Sequence, residues 1–203
     1  ASSGDVLLQA GVDYADGTPV NGGGLADVLM GAGSSIGSAE GNVTVQATND
    51  IHVRLITADS DAAGGIGNVV LTADYDGIDD LAGDGVGEII DANGDGPVNV
   101  VADLLTAEAG EAITLDTTIA TLDAANDTGG IDIDETDGIV LRDVVAGGGP
   151  VTVDAAGVIV ATNVDASGTD DGTNDISLTS TPPTGASGNI LLGRVDAGMM
   201  GDV

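Results

Sequence analysis

The sequence predicts an all-β protein: a single-stranded parallel β-helix, or β-solenoid, of about seven coils of roughly 28 residues each. Three observations carry this prediction. A seven-residue pattern (glycine, a polar residue or proline, then aliphatics at every second position, usually ending in alanine) starts at Gly4, Gly41, Gly67, Gly96 and Gly149, with looser copies at Gly129 and Asn174. Aliphatics at every second position put one face of an extended strand inward. Glycine occupies 34 positions, so few windows of helical length escape it, and each glycine costs a helix interior roughly 0.5–1 kcal/mol relative to alanine. Finally, there is no Phe or Trp, and Tyr14 and Tyr75 are the only aromatics. A core of Val, Ile, Leu and Ala suits a narrow interior in which each coil stacks on an equivalent one.

Residues 1–40 read as an irregular first coil: a strand over Asp5–Ala10, a Gly/Asp-rich loop, an apolar piece Leu25–Met30 and a turn Gly31–Gly37. Residues 41–66 are the cleanest coil. Behind its first strand, Ile51, Val53, Ile56 and Ala58 fall at offsets 0, 2, 5 and 7, and Ile139, Leu141, Val144 and Ala146 repeat them. So do Ile159, Ala161, Val164 and Ala166, and Ile190, Leu192, Val195 and Ala197. The jump from 2 to 5 breaks the alternation as a corner between two inward pairs does. Residues 67–95 carry an acidic insert loop, 74–95. In 96–128, Ala102–Ala109 has the composition of a helical turn or two, and Ile113–Leu122 places threonine on the outer face. Residues 129–148 form the shortest coil, and 149–173 end in an acidic loop. Residues 174–200 include Pro182-Pro183, which belongs in a loop because proline cannot donate to a strand ladder. Residues 201–203 start a further coil. The whole of 1–203 therefore reads as one continuous solenoid with uncapped ends. Open ends expose strand edges, so the expectation is an excerpt of a longer chain or pairing with other copies end to end.

The formal charge is −31, from 34 acidic residues against three arginines. Such a charge repels phosphates and anionic lipid, so nucleic acid is not an expected partner. No apolar run approaches the roughly 20 residues of a membrane helix, so no membrane insertion is expected. The absence of cysteine removes disulfides, thiolate metal sites and cysteine nucleophiles. Most of the acids stand beside Gly and Asn between the strands. Turn chemistry accounts for that placement; calcium coordination and adaptation to a saline medium are the alternatives.

The sharpest calcium candidate is Asp91-Ala92-Asn93-Gly94-Asp95-Gly96, the first half of an EF-hand-like loop, with oxygens at positions 1, 3 and 5 and glycine at 6. Its twelfth position is Ala102, with Asp103 one place late. Asp74, Asp76, Asp79 and Asp80 form a second acidic group. The expected metal ligands are thus Asp91, Asn93, Asp95, Asp74 and Asp76, and calcium is the only cofactor indicated. His52 lies between Ile51 and Val53 on the outward face, without the positioned partner a general base needs. Arg54, Arg142 and Arg194 suit outward ion pairs with neighbouring coils. No catalytic constellation, phosphate loop or aromatic sugar platform is present, and the chain is not expected to be an enzyme.

The runs Gly41–Ala47 with Asp50–Val53, Ile113–Leu122 with Gly129–Ile133, and Ser187–Gly193 with Val195–Ala197 resemble the filamentous-haemagglutinin-type repeats of large bacterial surface adhesins. The resemblance spans 41–203, with 1–40 a poorer copy. It implies a right-handed parallel β-helix, exported and extended into a rod, serving adhesion at the cell surface or forming an extracellular filament. Host or matrix surfaces, glycans and further copies of the chain are the partners so implied. Two other functions remain open at this point: a calcium-dependent binding module and a polysaccharide-acting β-helix enzyme.

Overall fold

A computed structural model describes residues 4–11, 25–39, 41–58, 67–75, 85–169 and 172–203. Among them there is no helix, and sixteen strands form one sheet that does not close into a barrel. The strands are β1 (Val6–Ala10), β2 (Val28–Leu29), β3 (Ile36–Gly37), β4 (Val43–Ala47), β5 (Ile51–Val53) and β6 (Ile56–Thr57). They continue with β7 (Asn68–Ala73), β8 (Ile89–Asp91), β9 (Val100–Ala109), β10 (Ile113–Asn126) and β11 (Ile131–Glu135). The last are β12 (Ile139–Ala146), β13 (Val151–Ala155), β14 (Ile159–Asp165), β15 (Ile176–Ser180) and β16 (Ile190–Asp196). All of the pairings are parallel.

The register sorts the strands into three columns. In the first, Val6, Val43, Val69, Leu105, Leu122, Leu141, Ala161 and Leu192 are successive partners. In the second they are Val28, Ile51, Ile89, Ile113, Ile131, Val151 and Ile176. A third column runs Ile36, Ile56, Val100, Thr117, Glu135, Ala155 and Ser180. The chain visits second, third and first columns in that order on each pass; β10 is long enough to serve all three, through Ile113, Thr117 and Leu122. After Ser180, Ile176 N donates to Asp202 O (2.8 Å), repeating the bonds of Ile131 N to Pro150 O and Val151 N to Asp175 O. Residues 201–203 thereby lie against β15 in the second column.

This register corrects the single repeat alignment read from the sequence. The glycine-led runs at Gly4, Gly41 and Gly67 do stack on one another, as β1, β4 and β7. Those at Gly129, Gly149 and Asn174 form β11, β13 and β15 in the second column, and the run at Gly96 delivers Val100 to the third. Alternating aliphatics behind a turn residue satisfy any column, so the local pattern is blind to which one it occupies. Nor is the period uniform. Bonded side chains on adjacent strands are 37 residues apart at Gln9–Gln46 and 39 at Arg54–Asn93, but 18 at Thr117–Glu135 and 19 at Asp123–Arg142. The offsets 0, 2, 5 and 7 also have two meanings. In Ile51–Ala58 the break is a corner between β5 and β6. In β12 it is a bulge: Leu122 and Asp123 are consecutive, whereas their partners Leu141 and Asp143 enclose the extra residue Arg142.

The core lies between the columns. Val43, Val69, Leu105, Leu122 and Leu141 are fully buried, as are Ile51, Ile113 and Val151; burying one such side chain contributes roughly 1.5–3 kcal/mol. The corners between columns need close backbone approach. A Cβ on Gly147 would stand 2.2 Å from Asp127 O, and one on Gly168 would stand 2.4 Å from Gly147 O. Acidic and amide side chains then hold one rung to the next. Asp5 Oδ1 accepts from Asn42 N (2.8 Å), Asn42 Oδ1 from Asn68 N (3.0 Å), Asp50 Oδ1 from Glu88 N (3.0 Å) and Asp175 Oδ1 from Asp202 N (2.9 Å). Asp5, Asp50 and Asp175 therefore have a structural use: each carboxylate satisfies an amide that the ladder leaves free.

Candidate functional site: the carboxylate face of β10, β11 and β13

In the half-loop 91–96, Asp91 and Asn93 accept hydrogen bonds from the protein's own donors. Asp91 Oδ1 accepts from Asn93 N (2.6 Å) and from Asn99 Nδ2 (2.7 Å). Asn93 Oδ1 accepts from Arg54 Nη1 (3.1 Å), and its Nδ2 donates to Arg54 O. Asp95 is exposed, while Gly96 N donates to Asp116 Oδ2 (2.7 Å). Asp74 is a buried acid in a left-handed conformation (φ 69°) whose Oδ2 accepts from Gly85 N (2.9 Å). Asp76, Asp79 and Asp80 lie outside the described residues. Among the described residues no group of three or more acids or histidines is arranged around a common metal position.

The structure instead brings together acids that the sequence reading did not single out. Asp116, Asp134 and Asp154 are register partners on β10, β11 and β13, so their Cα atoms repeat at about the 4.8 Å spacing of neighbouring strands. With Glu135, Thr136, Thr181 and Gly96 they line a cleft of about 260 Å³. Burial raises the carboxyl pKa of Asp134, and repulsion from Asp116, Asp132, Asp154 and Asp95 raises it further. Asp132 is raised for the same reasons, burial first and then Asp154, Asp116 and Asp95. Like charges on directly opposed strand positions oppose pairing.

Glu135 is the inward member of this group. It follows Ile131 and Ile133 in the alternation of β11 and stands in the third column between Thr117 and Ala155. Only 4% of it is exposed. Its Oε2 accepts from Thr117 Oγ1 (2.8 Å) and Ile119 N (3.0 Å), and its Oε1 from Asp137 N (3.1 Å) and Thr136 Oγ1 (3.4 Å). Burial nevertheless outweighs those donors and pushes its pKa up to about 7. The sequence held a signal for this residue: strict alternation through Ile131-Asp132-Ile133-Asp134-Glu135 points Glu135 to the apolar side.

The three arginines stand away from this cleft. Arg142, on its bulge, donates Nε to Asp123 Oδ1 (2.8 Å), with a second bond from Nη2 to Oδ2. Arg194 spans Asn163 (2.9 Å), Asp165 (2.6 Å) and Asp196 (2.9 Å). Both pairings are solvent-facing and contribute little each. Arg54 donates Nε to Met30 O (3.2 Å) in addition to its bond to Asn93. His52 is partly exposed on the outward face of β5, with Nε2 3.9 Å from Asp50 Oδ2. Comparison with protein-family models, curated proteins and solved structures finds no match for this chain.

Proposed function

We propose that this chain is a length of parallel β-solenoid that serves as a structural rod, and that the rod belongs to an extracellular bacterial adhesin or filament of filamentous-haemagglutinin type. The observation that carries the reading is the pair of unbroken parallel columns, first and second, whose inward side chains stack from one end of the described chain to the other. A stack of this kind transmits load through backbone hydrogen bonds along one axis. At about 4.8 Å per rung, seven or eight rungs span on the order of 35–40 Å. Leu8 at one end, the register partner of buried Val45, and Ile190 and Leu192 at the other are exposed, and the partner that fits such edges is a further rung, from the continuing chain or from another copy. Separation of Arg142 from the carboxylate cleft supports a structural role over polysaccharide cleavage.

The test is made on intact cells of the source. Antibody raised against the 203-residue chain is expected to label them without permeabilisation, and added protease is expected to remove the label. Labelling that requires permeabilisation, with protection from external protease, overturns the extracellular rod.

A further inference from the structure

We propose that Glu135 is a proton-operated latch between adjacent rungs: as the neutral acid it fastens the turn 135–138 to the middle of β10, and on ionisation it loosens that join. The inference stands independently of the extracellular reading. Its geometric basis is a carboxyl group buried in an otherwise uncharged interior column, between Thr117 and Ala155, bonded at once to Ile119 N on one rung and Asp137 N on the next.

No cation faces this carboxyl group among the described residues. Asp137, in the following turn, is the acid whose charge acts on it, while Asp116, Asp134 and Asp154 line the same cleft from β10, β11 and β13. Ionised Glu135 therefore combines a desolvated charge with repulsion from Asp137. The neutral form has a ready route for its proton. Oε2–H donates to Thr117 Oγ1, and the threonine hydroxyl turns to donate to Asp134 O, 3.5 Å away. Ile119 N keeps its bond to the remaining lone pair of Oε2, and Asp137 N keeps its bond to Oε1.

The sign follows from linkage. The folded pKa, about 7, lies above the 4.5 of a free glutamate, which the unfolded chain takes. The folded state then binds more protons between those values, so the latch stabilises fully below about 4.5 and that stability is lost as pH rises through about 7. Acidification fastens the turn, and neutral to alkaline medium releases it.

Amide hydrogen exchange on the full chain, corrected for the intrinsic pH dependence of exchange, tests this. From pH 5 to pH 8 the protection of Ile119 and Asp137 is expected to fall on the order of 50-fold, if opening returns Glu135 to its unfolded pKa. Protection of Ala58, whose amide is bonded to Val101 O, is the distant control and is expected to stay flat. Glu135→Gln, the permanently neutral isostere, is expected to hold the two amides at their low-pH protection throughout. A variant that keeps the wild-type pH dependence overturns the latch. A carboxyl-carbon NMR titration of wild-type Glu135 needs no variant: a midpoint near 7 is expected, and one near 4.5 overturns the proposal whatever Glu135→Gln does.

Discussion

Truncation of Leu122 to alanine is expected to cost the fold about 3 kcal/mol in urea unfolding, within the 2–5 kcal/mol range of buried leucine truncations. Leu122 is fully buried and stacks between Leu105 and Leu141 in the first column. Collapse into the vacated space is how other cores soften such a loss. Here the neighbouring rungs are fixed at strand spacing by ladders on both sides, so the cavity persists and the cost stays away from the bottom of the range. Leu191, exposed on the outer face of β16, provides the comparison, and its replacement by alanine is expected to change stability by less than about 0.5 kcal/mol. Equal effects at the two positions contradict an interior made of stacked aliphatics.

A second large loss, about 3 kcal/mol, is expected for Asn99→Ala, because the change leaves the buried Asp116 amide without its partner, at about 1–3 kcal/mol, and removes two further hydrogen bonds at about 1 kcal/mol each. Asn99 has no exposed surface. Its Nδ2 donates to Asp91 Oδ1 (2.7 Å) and Val53 O (3.1 Å), and its Oδ1 accepts from Asp116 N (2.7 Å). One amide thus joins β5, the 91–96 turn and β10, and no aliphatic of similar size replaces those bonds. Asn189, whose exposed side chain donates to Ser187 Oγ (3.1 Å), is expected to tolerate alanine. The same thermal or urea unfolding series reads both, and a near-neutral Asn99→Ala places the turn's stability elsewhere.

These residues show where the sequence was legible and where it was not. Alternation in Val43–Ala47, Val69–Ala73, Ile131–Ile133 and Val151–Ala155 identifies strands and their inward sides, and the structure has strands there with those residues buried. Ala102–Ala109, considered for a helical turn, is strand β9, because its alternate residues are claimed by Asn68–Thr72 on one side and by β10 on the other. What local pattern could not supply is the stacking order. A Gly-x-Val-x-Val-x-Ala run fits the first column at Gly41 and the second at Gly149 equally well, and only the lengths of the intervening corners and loops decide between them. The bulge at Arg142 was hidden for a related reason, since one extra outward residue and one corner leave the same gap in the inward series. The acids around Asp116, Asp134 and Asp154 are far apart in sequence and become neighbours only once that order is known. The spacing of Asp91, Asn93 and Asp95 fits a calcium loop, while the donors that Asp91 and Asn93 serve in the structure, Asn99 Nδ2 and Arg54 Nη1, lie outside that spacing and were not legible from it.

Stacking order is also the point on which the fold depends most, and cysteine crosslinking tests it directly, since the chain contains no cysteine of its own. Val70 and Thr106 are register partners on β7 and β9, both on the outer side, and neighbouring Cα atoms at about 4.8 Å are within disulfide reach. Alignment of the glycine-led runs at Gly67 and Gly96 would instead set Val70 beside Asn99. Val70→Cys with Thr106→Cys is expected to form an intramolecular disulfide under mild oxidation, and Val70→Cys with Asn99→Cys is expected to remain reduced. A disulfide in the second pair and not in the first contradicts the register, and with it the columns on which the core, the carboxylate face and the latch are built.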